Sequence, residues 1–165
     1  MTKIIKRSNI GNISYCNILE FSDLLLPASN NQVRFITDQC RSVVDFVDYV
    51  LSKEKTEEII ISNSAIDIKS LKRLEDLDRN IYVKINSSLR IKKKKVAELF
   101  ESSKKINPHI ACVHTKVILM KTENNYYVLE GSGNISTNEK IEQYSLSNHE
   151  ESYNFHKGWI TNDSR

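Results

Sequence analysis

The chain has 165 residues, and its 24 Lys and Arg residues against 21 Asp and Glu residues give a formal net charge of +3. Hydrophobic residues make up 39% and charged residues 27%, with only four Gly and two Pro. This composition excludes collagen-like, low-complexity and disordered chains. A chain of this size buries enough surface to be stable without a disulfide or a structural metal, so we expect a single domain over residues 1–165.

The sequence predicts a cytoplasmic protein that is not bound to a membrane. No apolar run approaches the roughly 20 residues that span a bilayer, and no signal-peptide-length apolar stretch follows the basic residues near the N-terminus. Cys16, Cys40 and Cys112 are an odd set without a repeated spacing. Such a set is typical of reduced thiols rather than of a disulfide framework.

The first half of the chain predicts strands alternating with helices. Residues 1–31 form an extension of uncertain structure, because Gly, Pro, Asn and Ser interrupt its short apolar pieces. Val33–Ile36 predicts a strand, Thr37–Asp38 a helix cap, and apolar residues at helical spacing from Val43 to Leu51 a helix. The run Ile59–Ile61 predicts a strand that is buried on both faces of a sheet.

The middle of the chain continues this alternation. Asp67 can cap a helix that carries Leu71, Leu74 and Leu77, and Ile81–Ile85 predicts the next strand. A further helix has Val96, Leu99 and Phe100 on its inner side. We expect Pro108 to mark where this helical segment ends.

The last part of the chain predicts three strands and a helix. The strands are His109–Met120, with a possible break near Val113, then Tyr126–Glu130, then Ile141–Leu146. The turn-like residues 123–125 would make the first two of these strands a hairpin. The last helix is expected to start at Asn148. Its inward stripe would carry Tyr153, His156, Trp159 and Ile160. The whole pattern favours an α/β sandwich around a central mixed β-sheet flanked by helices.

The basic charge is concentrated in the middle of the chain. Residues 84–121 carry ten basic and two acidic residues, and Lys92, Lys93, Lys94 and Lys95 are consecutive. Four positive charges at the start of a helix oppose the helix dipole, and a nucleic-acid backbone would compensate them. If the helix instead begins nearer Val96, the lysines form a solvated loop.

Two short polar clusters could carry chemistry. His114 and Lys116 would share one face of a strand, and an ammonium group there requires an anion or an exposed sheet margin. The segment Gly131-Ser132-Gly133-Asn134 offers hydroxyl, amide and backbone N–H donors for a phosphate, and its glycines permit close approach and positive φ. A simple tight turn is the other interpretation of this segment. The predicted hairpin brings the two clusters together.

These residues resemble the phospholipase D superfamily. Its signature is H-x-K, four residues, Asp, and then G-S/G-x-N after the next strand, and the resemblance covers about residues 59–160. It implies a single phospholipase D-like domain of the single-motif, nuclease-like kind, with no cofactor and no metal. Members transfer phosphoryl groups through a phosphohistidine, and two motif copies make one active site. A member with one copy is therefore expected to act as a homodimer.

The resemblance also implies the roles of individual residues. His114 would be the nucleophile, Lys116 and Asn134 would hold the phosphate, and Ser132 with the backbone at Gly131 and Gly133 would assist. Glu142 would fix the second ring nitrogen of His114, with Glu130 as the alternative. The expected motif aspartate is replaced by Lys121, which leaves open whether the site is active.

Other functions receive less support from the sequence. A non-catalytic module that binds nucleic acid or phosphate is the first rival, because of Lys121. A phospholipid hydrolase is a second, less favoured rival, because no amphipathic membrane helix is evident. Zinc at His109, Cys112 and His114 is not expected, since no fourth ligand and no C-x-x-C are in reach.

Overall fold

The computed structural model describes residues 7–10, 13–18, 20–37, 42–77, 79–136 and 140–162. Within these residues, nine strands form one mixed sheet. The strands are β1 Arg7–Ile10, β2 Ile13–Ile18, β3 Asn31–Thr37, β4 Thr56–Asn63, β5 Ile81–Asn86, β6 Ile106–Ala111, β7 Lys116–Thr122, β8 Tyr126–Gly131 and β9 Glu142–Asn148. Their order across the sheet is β1-β2-β3-β9-β8-β7-β4-β5-β6.

Five α-helices accompany the sheet in the described part of the chain, together with one turn of 3-10 helix at Phe21–Asp23. The α-helices are α1 Val44–Lys53, α2 Ile68–Asp76, α3 Ser88–Lys92, α4 Lys94–Glu101 and α5 Glu150–Thr161. None of the helices described is long and apolar enough to cross a membrane. The expected α/β class with a mixed central sheet is confirmed.

The core lies on both faces of the sheet, and β4 shows this most directly. Ile59 and Ile61 belong to the larger apolar cluster, to which α1, α2 and α4 contribute. Ile60 points to the opposite face and packs in a smaller cluster with Tyr153 and Ile160 of α5. All three isoleucines are at most 2% exposed, so the prediction of a strand buried on both faces is confirmed.

Several local predictions are also confirmed. The Asp67 side chain accepts a hydrogen bond from the Ser70 N–H (2.7 Å) and caps α2, because a carboxylate there satisfies an otherwise unpaired helical N–H group. The turn after β7 forms the expected hairpin, in which Lys121 pairs with Tyr126 across antiparallel strands. Helix α1 buries Val44, Val47 and Val50, in agreement with their spacing.

The N-terminal extension contributes two strands that its sequence does not predict. Strand β2 runs parallel to β3, and β1 runs antiparallel to β2 at the sheet margin. These short strands gain their stability from pairing, β2 with β3 and β1 with β2, which is a tertiary effect rather than a local one.

Four details of the predicted helices are wrong. Thr37 does not cap α1: it ends β3, its hydroxyl donates to the Glu142 carbonyl (3.3 Å), and α1 begins at Val44. Asp38, the other predicted cap residue, lies outside the described residues. Leu99 is 40% exposed rather than inside, because it lies on the outer side of α4.

Pro108 and Asn148 also differ from expectation. Helix α4 ends at Glu101, and Pro108 lies within β6, which is the last strand of the sheet, where a missing N–H can face away from the ladder. Asn148 is the last residue of β9, and its amide donates to the carbonyl of Pro27 (3.0 Å) instead of capping α5. The N-cap of α5 is His149, without a side-chain cap.

Candidate functional site

Several of the residues that the sequence singles out lie at one edge of the sheet. This edge is formed by the ends of central strands and not by an outer strand. Strand β7 is antiparallel to both β4 and β8, so the start of β7 lies beside the ends of β4 and β8. Lys116 is paired with Asn63, and Gly131 with Tyr144 near the start of β9. The predicted meeting of the two polar clusters is therefore present at this edge.

Lys116 and Asn134 are joined by Ser64, the residue that directly follows β4. The Lys116 ammonium donates to Ser64 Oγ at 2.8 Å, and Ser64 Oγ donates to Asn134 Oδ1, also at 2.8 Å. All three side chains are half-buried. The ammonium also lies 3.4 Å from the carbonyl oxygen of His114. The Lys116 ammonium and the Asn134 amide are thus linked through Ser64 in one hydrogen-bonded unit.

Asn63 holds the loop that carries Asn134. Its side chain is 1% exposed, its Nδ2 donates to the Gly133 carbonyl (3.3 Å), and its Oδ1 accepts from the N–H groups of Ala65 (3.2 Å) and Ile135 (3.3 Å). These hydrogen bonds hold the Asn63 side chain and its partners in place, because breaking one of them would leave a buried polar group unpaired, which costs free energy. The loop after β8 is therefore fixed to the end of β4.

The two glycines of the loop are required by Tyr144. A Cβ on Gly131 would lie 2.2 Å from Tyr144 Cδ1, and a Cβ on Gly133 would lie 1.9 Å from Tyr144 Oη. Neither glycine has a φ in the left-handed region, so the loop depends on the close approach that glycine permits and not on its access to positive φ. The loop backbone passes over the buried ring of Tyr144. Burial raises the pKa of the Tyr144 hydroxyl.

Ser132 and Glu142 pair with each other across the ends of β8 and β9. The Ser132 hydroxyl donates to the Glu142 carboxylate and accepts from the Gln143 N–H (3.1 Å). The Ser132 N–H donates to the Gln143 carbonyl (3.0 Å). The carboxylate is thus bound to the loop, and its predicted role of orienting His114 stays a prediction.

His114 does not lie on the strand that carries Lys116. Strand β6 ends at Ala111 and β7 begins at Lys116, so the expected break near Val113 covers His114 as well. The reason lies in the sheet order: β4 and β5 lie between β6 and β7, and the chain must cross the sheet edge between them. The prediction that His114 shares a strand face with Lys116 is therefore wrong.

The backbone around His114 is nevertheless held on both sides. Asn86 Nδ2 donates to the Val113 carbonyl, and Thr115 Oγ1 lies 2.7 Å from Ser62 Oγ, at hydrogen-bond distance. The His114 side chain itself is exposed. A fixed backbone that presents an exposed imidazole at the edge of the molecule suits a ligand or a second protein chain more than it suits packing.

The lysine run lies at the rim of the same edge. Lys92 ends α3, Lys94 begins α4, and Lys93 is the joint between them. All four lysines are exposed. Because α4 begins at Lys94 and not near Val96, they form a charged corner between two helices rather than a loop. Lys93 Nζ donates to the carbonyl of Ile66 (3.3 Å), and Ile66 forms a bridge with Ile135, the residue after Asn134.

Lys121, in place of the motif aspartate, is remote from the site. Lys121 lies five positions after Lys116 in β7, which corresponds to about 17 Å along an extended strand. Its ammonium pairs with Glu57 at 2.5 Å, and this hydrogen bond raises the pKa of Lys121. The replacement therefore removes no group from the polar cluster at the sheet edge.

The other histidines lie away from this cluster. His109 stacks on Tyr82 with ring centroids 4.3 Å apart. His156 lies 3.5 Å from Glu130, so this carboxylate is directed towards α5 rather than offered to His114. His149 is half-buried and lies beyond the opposite end of β9.

The part of the chain that the structure describes holds no group of three His, Cys, Asp or Glu side chains that could bind a metal ion. Cys112 is a free thiol. Cys40 lies outside the described residues.

Comparisons with known proteins do not name a family for this chain, since no protein-family model and no curated protein matches it. The site is therefore interpreted from its own geometry. Sequence reasoning missed Asn63 and Ser64, which organise the loop and the lysine. Their only sequence signal is that they belong to the short polar segment that follows the isoleucine run of β4.

Proposed function

We propose that this protein is a metal-independent phosphodiesterase, acting on nucleic acid as a nuclease, with a fold and site of the phospholipase D type. The observation that carries the proposal is the hydrogen-bonded unit of Lys116, Ser64 and Asn134 beside an exposed His114. An ammonium and an amide at one point are suited to the non-bridging oxygens of a phosphodiester. An accessible imidazole next to them is suited to attack on phosphorus.

The proposed reaction has two displacements. A ring nitrogen of His114 attacks phosphorus, the bond from phosphorus to the leaving oxygen breaks, and that oxygen takes a proton from a second imidazole. Water then attacks the phosphohistidine, gives its proton to the second imidazole, and releases His114 with the product phosphate. Lys116 and Asn134 stabilise the charge on the oxygens in both steps.

The second imidazole is proposed to come from a partner chain. In-line displacement places the attacking and leaving atoms on opposite sides of phosphorus, so one ring cannot serve both. His109, His149 and His156 lie elsewhere in the fold. A two-fold axis beside the exposed His114 would bring two copies of this residue to one phosphate, as in an isologous homodimer.

The nucleic-acid substrate is supported by the lysine corner. Lys92–Lys95 are exposed at the rim of the edge that carries Asn134, and Lys93 is anchored to Ile66 next to the loop. Rows of lysine beside a phosphate site favour a polyanion, because each neutralised phosphate releases counterions.

A non-catalytic phosphate- or nucleic-acid-binding module is the second candidate. It is favoured by Lys121 at the motif aspartate position and by its ion pair with Glu57. Such a module would keep the Lys116 and Asn134 donors and would lack turnover.

The experiment that separates the two candidates is hydrolysis of bis(p-nitrophenyl) phosphate and plasmid DNA in excess EDTA. The wild-type protein is expected to cleave both, and His114→Ala is expected to abolish cleavage without loss of fold. His149→Ala is the matched control, since this histidine lies beyond the opposite end of β9. Activity that disappears with the chelator would refute the metal-free mechanism, and nucleic-acid binding without turnover would favour the module.

A further inference from the structure

We infer that Ser64 is a positioning residue, which sets the direction of the Asn134 amide and of the Lys116 ammonium so that both donate to one oxyanion. The inference rests on the proposed function, since it concerns the same site. It adds the residue directly after β4 to a site whose other members come from β7 and the loop after β8.

The direction of each hydrogen bond follows from the chemistry of the three groups. An ammonium can only donate, so Ser64 Oγ accepts from Lys116 at 2.8 Å. The Ser64 hydroxyl proton is then available for Asn134 Oδ1, which can only accept, at 2.8 Å. Because Oδ1 is occupied in this way, the NH₂ end of the Asn134 amide is turned away from Ser64.

The result is a site that offers donors to a ligand. Of the three ammonium N–H groups of Lys116, one bonds to Ser64 and one is directed to the carbonyl of His114 at 3.4 Å, which leaves one for a ligand. The Asn134 NH₂ group adds two more donors beside it. A tetrahedral oxyanion, which only accepts, satisfies such a set, whereas a ligand group that must donate does not.

Without the Ser64 hydroxyl, both partners would lose their fixed direction. The Asn134 amide could rotate and present its carbonyl oxygen to the oxyanion, and the Lys116 ammonium would lose its shortest contact. We therefore expect Ser64→Ala to weaken oxyanion binding by about tenfold, which equals ~1.4 kcal/mol. Ser64→Thr keeps the hydroxyl and is expected to restore binding.

The test is calorimetric titration of the full chain with tungstate, an inorganic tetrahedral oxyanion. The variants are Ser64→Ala, Ser64→Thr and the matched control Ser70→Ala, a buried serine whose hydroxyl bonds to Ser42 (3.1 Å) and not to the site. Ser70→Ala is expected to bind tungstate as the wild type does. A second readout is the side-chain NH₂ signal of Asn134 in ¹⁵N spectra, assigned by its loss in Asn134→Asp. Tungstate should shift this signal in the wild type and in Ser64→Thr but not in Ser64→Ala.

Three results would overturn the inference: no tungstate binding by the wild type, equal binding by Ser64→Ala, or failure of a folded Ser64→Thr variant to restore binding. The proposed function fails separately. Wild-type protein that binds tungstate through Ser64 but cleaves no diester would remove the phosphodiesterase and keep the positioning role. If Ser64→Ala cleaves diesters and binds tungstate as the wild type does, the positioning role would be removed and the phosphodiesterase would be kept.

Discussion

A methyl group added at Gly133 would collide with the ring of Tyr144. The new Cβ would lie 1.9 Å from Tyr144 Oη and 2.9 Å from Cζ, whereas non-bonded heavy atoms rest roughly 3.5 Å apart. The loop or the ring must therefore move by about 1.5 Å. Neither moves easily, because the Gly133 carbonyl is held by Asn63 and the ring stacks on Phe35.

We expect Gly133→Ala to lower the free energy of unfolding by about 1–3 kcal/mol, the usual cost of overpacking. For a chain of this length, each kcal/mol lowers the Tm by roughly 2–4 °C. Thermal unfolding followed by circular dichroism measures this change. Tungstate affinity should fall as well, because Asn134 is the next residue and moves with the loop.

Two further variants separate the collision from a general effect of alanine. Gly158→Ala, in the exposed part of α5 with nothing within 4 Å of the new Cβ, should raise stability by about 1 kcal/mol because alanine favours helix. Tyr144→Phe in the Gly133→Ala background removes the nearest atom and should recover part of the loss. A Gly133→Ala protein as stable as the wild type, or no recovery on removing the hydroxyl, would refute the reasoning.

Three other predictions concern the lysine corner, a partly buried carboxylate and the dimer. Replacing Lys92–Lys95 by Gln should reduce the salt slope of duplex DNA binding by up to about 3.6 and leave hydrolysis of a small diester unchanged; unchanged DNA binding would contradict the assignment. Glu54 is partly buried, which opposes ionisation, but hydrogen bonds from Tyr127, Asn125 and Thr122 lower its pKa overall. The stability that its ionised form contributes is therefore present above the ordinary glutamate pKa and is lost as the pH falls through the lowered value. Urea unfolding at several pH values should show Glu54→Gln less stable than the wild type at neutral pH, with the difference shrinking in acid, and a constant difference would contradict this. A heterodimer of wild-type and His114→Ala chains, purified through two tags, should lose most turnover, whereas half the activity per dimer would show a complete site in each chain.

The elements that could be predicted are those that depend on neighbouring residues. The spacing of valines in α1, the cap at Asp67 and the isoleucine run in β4 are all local signals, and the structure contains each of them. The hairpin after β7 also follows from its short turn, and with it the meeting of Lys116 with the loop that ends in Asn134.

The features that could not be predicted depend on sheet order. Pro108 is tolerated in β6 because that strand is the last in the sheet. His114 lies outside β7 because β4 and β5 lie between β6 and β7, so that His114 belongs to the connection between those two strands. Ser64 lies 52 residues from Lys116 and 70 residues from Asn134 along the chain. No pattern within one segment shows that three such distant residues share hydrogen bonds.

The most direct test of the proposed phosphodiesterase is a crystal structure of the protein with tungstate bound. The proposal predicts one tungstate on a two-fold axis, with a His114 ring from each chain on opposite sides of it and the Lys116 and Asn134 donors on its oxygens. A tungstate held by one chain without either imidazole, or one bound only at the lysine corner, would contradict it.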